Sequence, residues 1–152
     1  MTTIAIKDGI LAADTQLTDN DIKVLCHKIT VLPDNRVVAC AGPVDEEEWF
    51  KAWLIGDLKK LPRLKKLCAI LIEDKQAFYF IQGPEKYKIE HPFYAIGNGW
   101  KVAMAGMHAG LSAVNSVKLA GELDIYTNTY NVRLFFIFFM IMLLIYNLIV
   151  LH

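Results

Sequence analysis

Apolar and polar residues along this chain first alternate in short runs and only later fall into helical spacing. Thr3-Ile4-Ala5-Ile6-Lys7 and Ile10-Leu11-Ala12-Ala13 flank an Asp8-Gly9 pair. Asp-Gly supplies the positive-φ positions of a tight turn, so this reads as a hairpin whose second strand ends at Asp14. Thr15 to Asp21 reads as a polar loop. A second hairpin is predicted over Lys28 to Leu32 and Arg36 to Ala41, turning at Pro33-Asp34-Asn35 and broken by Gly42-Pro43. Cys68 to Ile72 and Ala77 to Ile81, joined by Glu73-Asp74-Lys75-Gln76, make a third, and Phe93 to Ile96 a further strand.

Helical spacing appears after Asp45-Glu46-Glu47-Glu48, acids that suit the first turn of a helix. Trp49, Phe50, Trp53 and Leu54 recur on one face, and Pro62 is expected to end or interrupt the helix. The cluster Lys59, Lys60, Arg63, Lys65 and Lys66 reads as a solvated basic face. Small residues from Val102 to Ala109 predict a second helix, and Ser112 caps a third that runs through Leu123. Asp124-Ile125-Tyr126-Thr127 resumes extended structure. Strands and helices are segregated along the chain, which predicts an α+β layered sandwich rather than parallel βαβ units.

At 152 residues the chain suits one domain with a real core. Its 16 basic and 16 acidic residues cancel, so no basic stripe points to nucleic acid. Cys26, Cys40 and Cys68 sit in apolar runs, and neither they nor the four histidines have metal-ligand spacing. Buried reduced thiols in a cytoplasmic protein without a signal peptide are the expectation. Gly97-Asn98-Gly99 lacks a Walker lysine and the full GxGxxG spacing, so no nucleotide site is predicted.

The mean hydropathy of +0.33 conceals two unequal parts. Residues 1–133 read as a soluble domain, whereas Leu134 to Leu151 is almost purely apolar, with Asn147 its only clearly polar side chain. As a helix that stretch would span roughly 27 Å, just enough to cross a hydrocarbon core.

The candidate chemistry begins at Met1-Thr2-Thr3. Removal of an initiator Met before a small residue would leave Thr2 with a free amine and a hydroxyl. The amine titrates near ~8 and can take the hydroxyl proton directly or through water, a base that no mid-chain threonine has.

Six segments in order then resemble the N-terminal-nucleophile hydrolases, specifically the proteasome β-type peptidases and the bacterial HslV-type subunit. They are Thr2-Thr3-Ile4, Ala13 to Thr18, His27-Lys28-Ile29, Ala41-Gly42, Ala95 to Gly99 and Asp124 to Thr127. The resemblance covers Thr2 to about Val132. It implies a four-layer αββα sandwich with two antiparallel sheets, acting as a threonine endopeptidase on unfolded polypeptide. Thr2 would attack the peptide carbonyl. Lys28 would favour the ionised hydroxyl and pair with Asp14, because an unpaired buried ammonium is costly. The Gly42 N–H would stabilise the oxyanion, a role whose loss costs about 3–4 kcal/mol in other enzymes. Asp124 and Thr127 would orient the amine, with Asn98 as a further partner of Thr2. Thr18 and the Gly42 segment would hold substrate as an added strand. Cys40 and Val44 would line the first specificity pocket, expected to be modest and apolar. No cofactor or metal is implied. Identical subunits in a ring, polypeptide substrates and a separate ATPase unfoldase are the implied partners.

The chain departs from the family pattern in three places. Asn98 stands in place of serine, and Pro43 follows the oxyanion glycine and removes an N–H donor. After Val132 the family continues with strands, where this chain turns apolar, so the last strands of the sheet are missing from the pattern. The 134–152 tail has three readings: an aberrant C-terminus, a membrane anchor with Arg133 on the cytoplasmic side, or a buried or interface segment. A non-catalytic scaffold subunit of a ring is the alternative function.

Overall fold

A computed structural model of the chain describes residues 2–19, 22–123 and 132–136. In chain order the strands and helices are β1 (Thr3–Lys7), β2 (Ile10–Asp14), β3 (Gln16–Asp19), β4 (Ile22–Leu25), β5 (Ile29–Val31), β6 (Val37–Ala41), α1 (Val44–Leu54), β7 (Cys68–Glu73), β8 (Gln76–Ile81), β9 (Tyr87–Lys88), β10 (Phe93–Gly97), α2 (Trp100–His108), α3 (Ala113–Leu123) and β11 (Val132–Phe136). One antiparallel sheet has the order β10-β1-β2-β11 and the other β5-β6-β7-β8-β9.

Strand alternation sorts the apolar side chains into three cores, and these define the four layers. Ile4, Ile6, Leu11 and Ala13 face Val37, Ala39, Ile70 and Ile72 between the sheets. The opposite faces of β1, β2 and β10 carry Ala5, Ala12 and Ala95, small enough for α2 and α3 to approach with Ala103, Met107 and Val117. The outer face of the second sheet presents Val38, Cys40, Ala69, Leu71 and Phe80 to Phe50 of α1. The α+β sandwich with two antiparallel sheets is therefore the observed fold.

Local chemistry explains most boundaries. Asp8 and Gly9 both take positive φ, at 51° and 73°, as the Asp-Gly turn requires. Asp74 and Lys75 do the same at 48° and 64° between β7 and β8. The Ser112 hydroxyl accepts the Asn115 N–H at 3.2 Å and opens α3.

Three expectations are corrected. Thr15 to Asp21 is not simply a loop, because β3 and β4 pair there as a short hairpin, Gln16 opposite Leu25. Alternation too brief to register in the sequence, only four residues a side, hid it. Helix α1 stops at Leu54, well before Pro62, because Gly56 takes a left-handed φ of 87° and closes the last turn. Finally, the sheet does continue past Val132: β11 pairs with β2, placing Leu134, Phe135 and Phe136 opposite Ala12, Leu11 and Ile10. This strand runs across the boundary that hydropathy draws at residue 133. Residues 137–152 lie outside the described residues, as do Asp124 and Thr127. Among the described residues no helix is long and apolar enough to cross a membrane.

One acid of α1 fastens the segment before β7. The buried Glu46 carboxylate accepts the backbone N–H groups of Lys65, Lys66 and Leu67 at 3.0–3.1 Å. Burial alone would raise this carboxyl, but those donors and the Lys65 charge hold it below its ordinary range. Glu46→Ala removes the acceptor for all three, and we expect a loss of about 2 kcal/mol in urea unfolding followed by tryptophan fluorescence.

Candidate active site

Thr2 precedes β1 and is held at backbone level. Its carbonyl accepts the Asn98 N–H at 2.7 Å. Gly97 has φ +89°, and a Cβ built on it would lie 2.0 Å from the Thr2 carbonyl oxygen. No side chain fits, so the glycine permits the contact that clamps Thr2. The next residue is tied twice: the Thr3 N–H donates to Asp14 Oδ1 at 2.7 Å, and its hydroxyl accepts the Gly99 N–H at 3.1 Å.

Asp14, at the end of β2, and Lys28, just before β5, form a buried ion pair. Lys28 Nζ donates to both carboxylate oxygens, at 3.0 and 2.9 Å, with the side chains 3% and 0% exposed. Asp14 Oδ2 also accepts the Gln16 N–H at 3.2 Å. Burial lowers the Lys28 ammonium below its ordinary range, and the Asp14 charge opposes this only in part.

Thr2, Lys28, Gly42, Val44, Glu47 and Asn98 line one cleft of about 1040 Å³. A smaller cavity of about 320 Å³ lies at the other end of β1, beside the Asp8-Gly9 turn, and contains none of the predicted site residues. Gly42 follows β6 with its Cα against Leu67: an added Cβ would stand 3.0 Å from Leu67 Cα. Pro43 caps α1 with its carbonyl, which accepts the Glu47 N–H at 3.0 Å.

The structure thus brings together Thr2, Asp14, Lys28, Gly42, Val44 and Asn98. Cys40 is placed elsewhere: it packs with Phe50 and Phe80 in the core between the second sheet and α1, 2% exposed, and is not on the cleft wall. The parity of β6 decides this, since Ala39 and Ala41 face the other sheet and Cys40 must face the helix. Thr18 lies in β3 opposite Lys23. Asp124 and Thr127 are outside the described residues.

Sequence reasoning missed the parts played by Thr3, Glu46, Glu47 and Gly97. For Gly97 a signal existed, a glycine directly after a strand, but its Thr2 contact spans the length of the domain. Among the described residues no group of three or more His, Cys, Asp or Glu is placed to hold a metal ion.

This architecture is the fold of the proteasome β-type and HslV-type subunits, as solved structures show. BPH from Thiobacillus denitrificans superposes with a TM-score of 0.66 at 19% identity, over 88% of this chain and 95% of that one. The same protein in complex with epoxomicin gives 0.66 and 19%, covering 88% and 96%. A eukaryotic HslV from Trypanosoma brucei gives 0.65 at 16% identity, over 88% of this chain and 98% of its own. No protein-family model matches the chain, and no curated protein matches it.

Two substitutions test the geometry. Asp14→Asn leaves a buried ammonium without its counter-charge, and we expect a loss of about 3–5 kcal/mol in denaturant unfolding. Gly97→Ala meets both the clash and the positive φ, so a loss of at least about 2 kcal/mol is expected by thermal unfolding.

Proposed function

We propose that this chain is a proteasome-like threonine endopeptidase subunit with Thr2 as its nucleophile. The observation that carries the reading is the clamped Thr2 beside the buried Asp14–Lys28 pair in the wall of one large cleft. The fold shared with HslV-type subunits supports it, as does the neighbour that binds epoxomicin.

The mechanism requires loss of Met1, since the Thr2 nitrogen is otherwise an amide. With the amine free, Thr2 Oγ attacks the scissile carbonyl while its proton passes to that amine, directly or through water. The Lys28 charge favours the alkoxide as it forms. Negative charge moves to the carbonyl oxygen, and the Gly42 N–H would receive it. The intermediate collapses to a Thr2 ester, the amine half of the substrate leaves with the proton, and water hydrolyses the ester.

A broad-specificity cleft of this kind is safest enclosed, so we propose a ring of identical subunits in the cytoplasm, fed with unfolded polypeptide by a separate ATPase. A scaffold subunit with the same fold is the competing reading, motivated by Asn98 and Pro43 at the site.

Intact mass and epoxomicin labelling separate the two. The peptidase reading expects a chain lighter by one methionine, one epoxomicin added to the Thr2 peptide, and peptide hydrolysis that Thr2→Ala abolishes without changing assembly. A retained Met1, or a freed Thr2 that neither labels nor hydrolyses, overturns it in favour of the scaffold.

A further inference from the structure

Five of the chain's 16 basic residues fall between Lys59 and Lys66, in the segment that joins α1 to β7. The segment has no helix or strand of its own, yet it is anchored along its length. Leu61, Leu64 and Leu67 turn inward onto the core that holds Phe50 and Phe80, the last two only 3% and 1% exposed. Glu46 fixes the backbone of Lys65, Lys66 and Leu67. With the leucines held inward, Lys59, Lys60, Arg63, Lys65 and Lys66 are all exposed and form an outer ridge.

These cations lack internal counter-charges. Among the described residues none of the five forms an ion pair. Glu46 is committed to backbone N–H groups, although the Lys65 charge helps to keep it ionised, and Glu48 is committed to Lys51. Asp57 is the single acid of the segment itself, set against five cations. A formal net charge of zero conceals this concentration. Like charges fixed in one place repel one another and raise a positive potential that an external anion lowers.

The chemistry of the ridge selects among anions. Single-stranded nucleic acid is held by cations interleaved with aromatic platforms, and residues 55–67 include no aromatic side chain. Firm hold on a bilayer surface needs apolar side chains to enter the headgroups, and here the leucines face the core. Carboxylates need only spaced ammonium and guanidinium donors, which the ridge supplies. The ridge is also continuous with the cleft, because Lys66 lines that cleft together with Thr2 and Gly42. A polypeptide lying in the cleft can therefore extend past Lys66 onto the other cations.

We propose that the ridge from Lys59 to Lys66 is an exosite that recruits polypeptides bearing acidic segments to the Thr2 cleft. This rests on the peptidase reading above. The ridge acts away from the scissile bond, so it selects which chain is captured and not where that chain is cut. Its effect falls on KM, leaves kcat unchanged, and weakens as salt screens the charges.

The experiment uses the full chain after Met1 removal and fluorogenic peptides with one shared scissile sequence. A flexible linker joins that sequence, at either end, to a run of glutamates or of glutamines. At about 0.01 M ionic strength we expect kcat/KM to favour the glutamate peptide by about tenfold for at least one placement, through KM. At about 1 M the ratio falls to about one. Lys59→Glu, Lys60→Glu and Arg63→Glu together bring the ratio to one or below and leave the glutamine peptide unaffected. Lys75→Glu, Lys88→Glu and Lys118→Glu together make the same change of net charge elsewhere on the exposed surface and keep the wild-type ratio.

A wild-type ratio of one at low salt overturns the proposal, as does a preference that survives reversal of the ridge or is lost equally in the control. Anisotropy of the same peptides on the Thr2→Ala chain separates the two readings. Glutamate-selective binding that ridge reversal removes, with no hydrolysis by the wild type, sinks the peptidase reading and keeps the acidic-segment surface. Equal binding of both peptides, or binding of neither, sinks the surface. Ridge-dependent binding of poly-uridine RNA or of phosphatidylserine vesicles, with none of the glutamate peptide, overturns it as well.

Discussion

A fully buried carboxylate needs its lone pairs occupied, and Asp14 finds partners in three separate parts of the chain. The Thr3 N–H comes from β1, the Gln16 N–H from the start of β3, and the Lys28 ammonium from the approach to β5. Thr3 belongs to the first sheet and Gln16 to the two-stranded β3-β4 sheet, while Lys28 leads into the sheet that begins with β5. The pair therefore pins the sheets at the edge where Thr2 sits. Such a pair need not stabilise the fold against an apolar replacement, because desolvating both charges is expensive. What it secures is a cation fixed in the wall of the cleft that Thr2 also lines.

Around that pair the site is attached through backbone rather than through side chains. Thr2 is held by an amide of the β10–α2 turn, and the approach of that turn depends on an absent Cβ at Gly97. On the opposite wall, Glu46 fixes the backbone of Lys65 to Leu67, and Leu67 in turn stands against Gly42. Both walls thus rest on a side chain or a glycine away from the reacting atoms. Backbone attachment fixes Thr2 and Gly42 with few rotatable bonds, which would suit the proposed reaction, one that tolerates little misplacement.

Sequence patterns carried the strands well, because alternation in β1, β2, β6 and β7 is what sorts residues between the cores. Motif order also singled out Thr2, Asp14 and Lys28; Lys28 pairs with Asp14, and Lys28 and Thr2 line the same cleft. Cys40 was misplaced because motif matching gives position along the chain but not which face of a strand a residue takes. Only the parity of the neighbours Ala39 and Ala41 does that. The end of α1 was misread for a related reason: Pro62 is the louder signal, but Gly56 acts first. Glu46 and Glu47 looked alike as helix-opening acids. Their separate fates, one satisfied by amides and one lining the cleft, depend on a segment some twenty residues away.

The same physics accounts for a fold shared with neighbours at 16–19% identity while no family model matches. Most positions of a four-layer sandwich demand only a class of side chain: branched and apolar between the sheets, small beneath α2 and α3, polar outside. Many sequences meet those demands, so the fold places weak limits on residue identity. The limits become strict only where geometry leaves one choice, as at Gly97, or where a buried charge needs its opposite, as at Asp14 and Lys28.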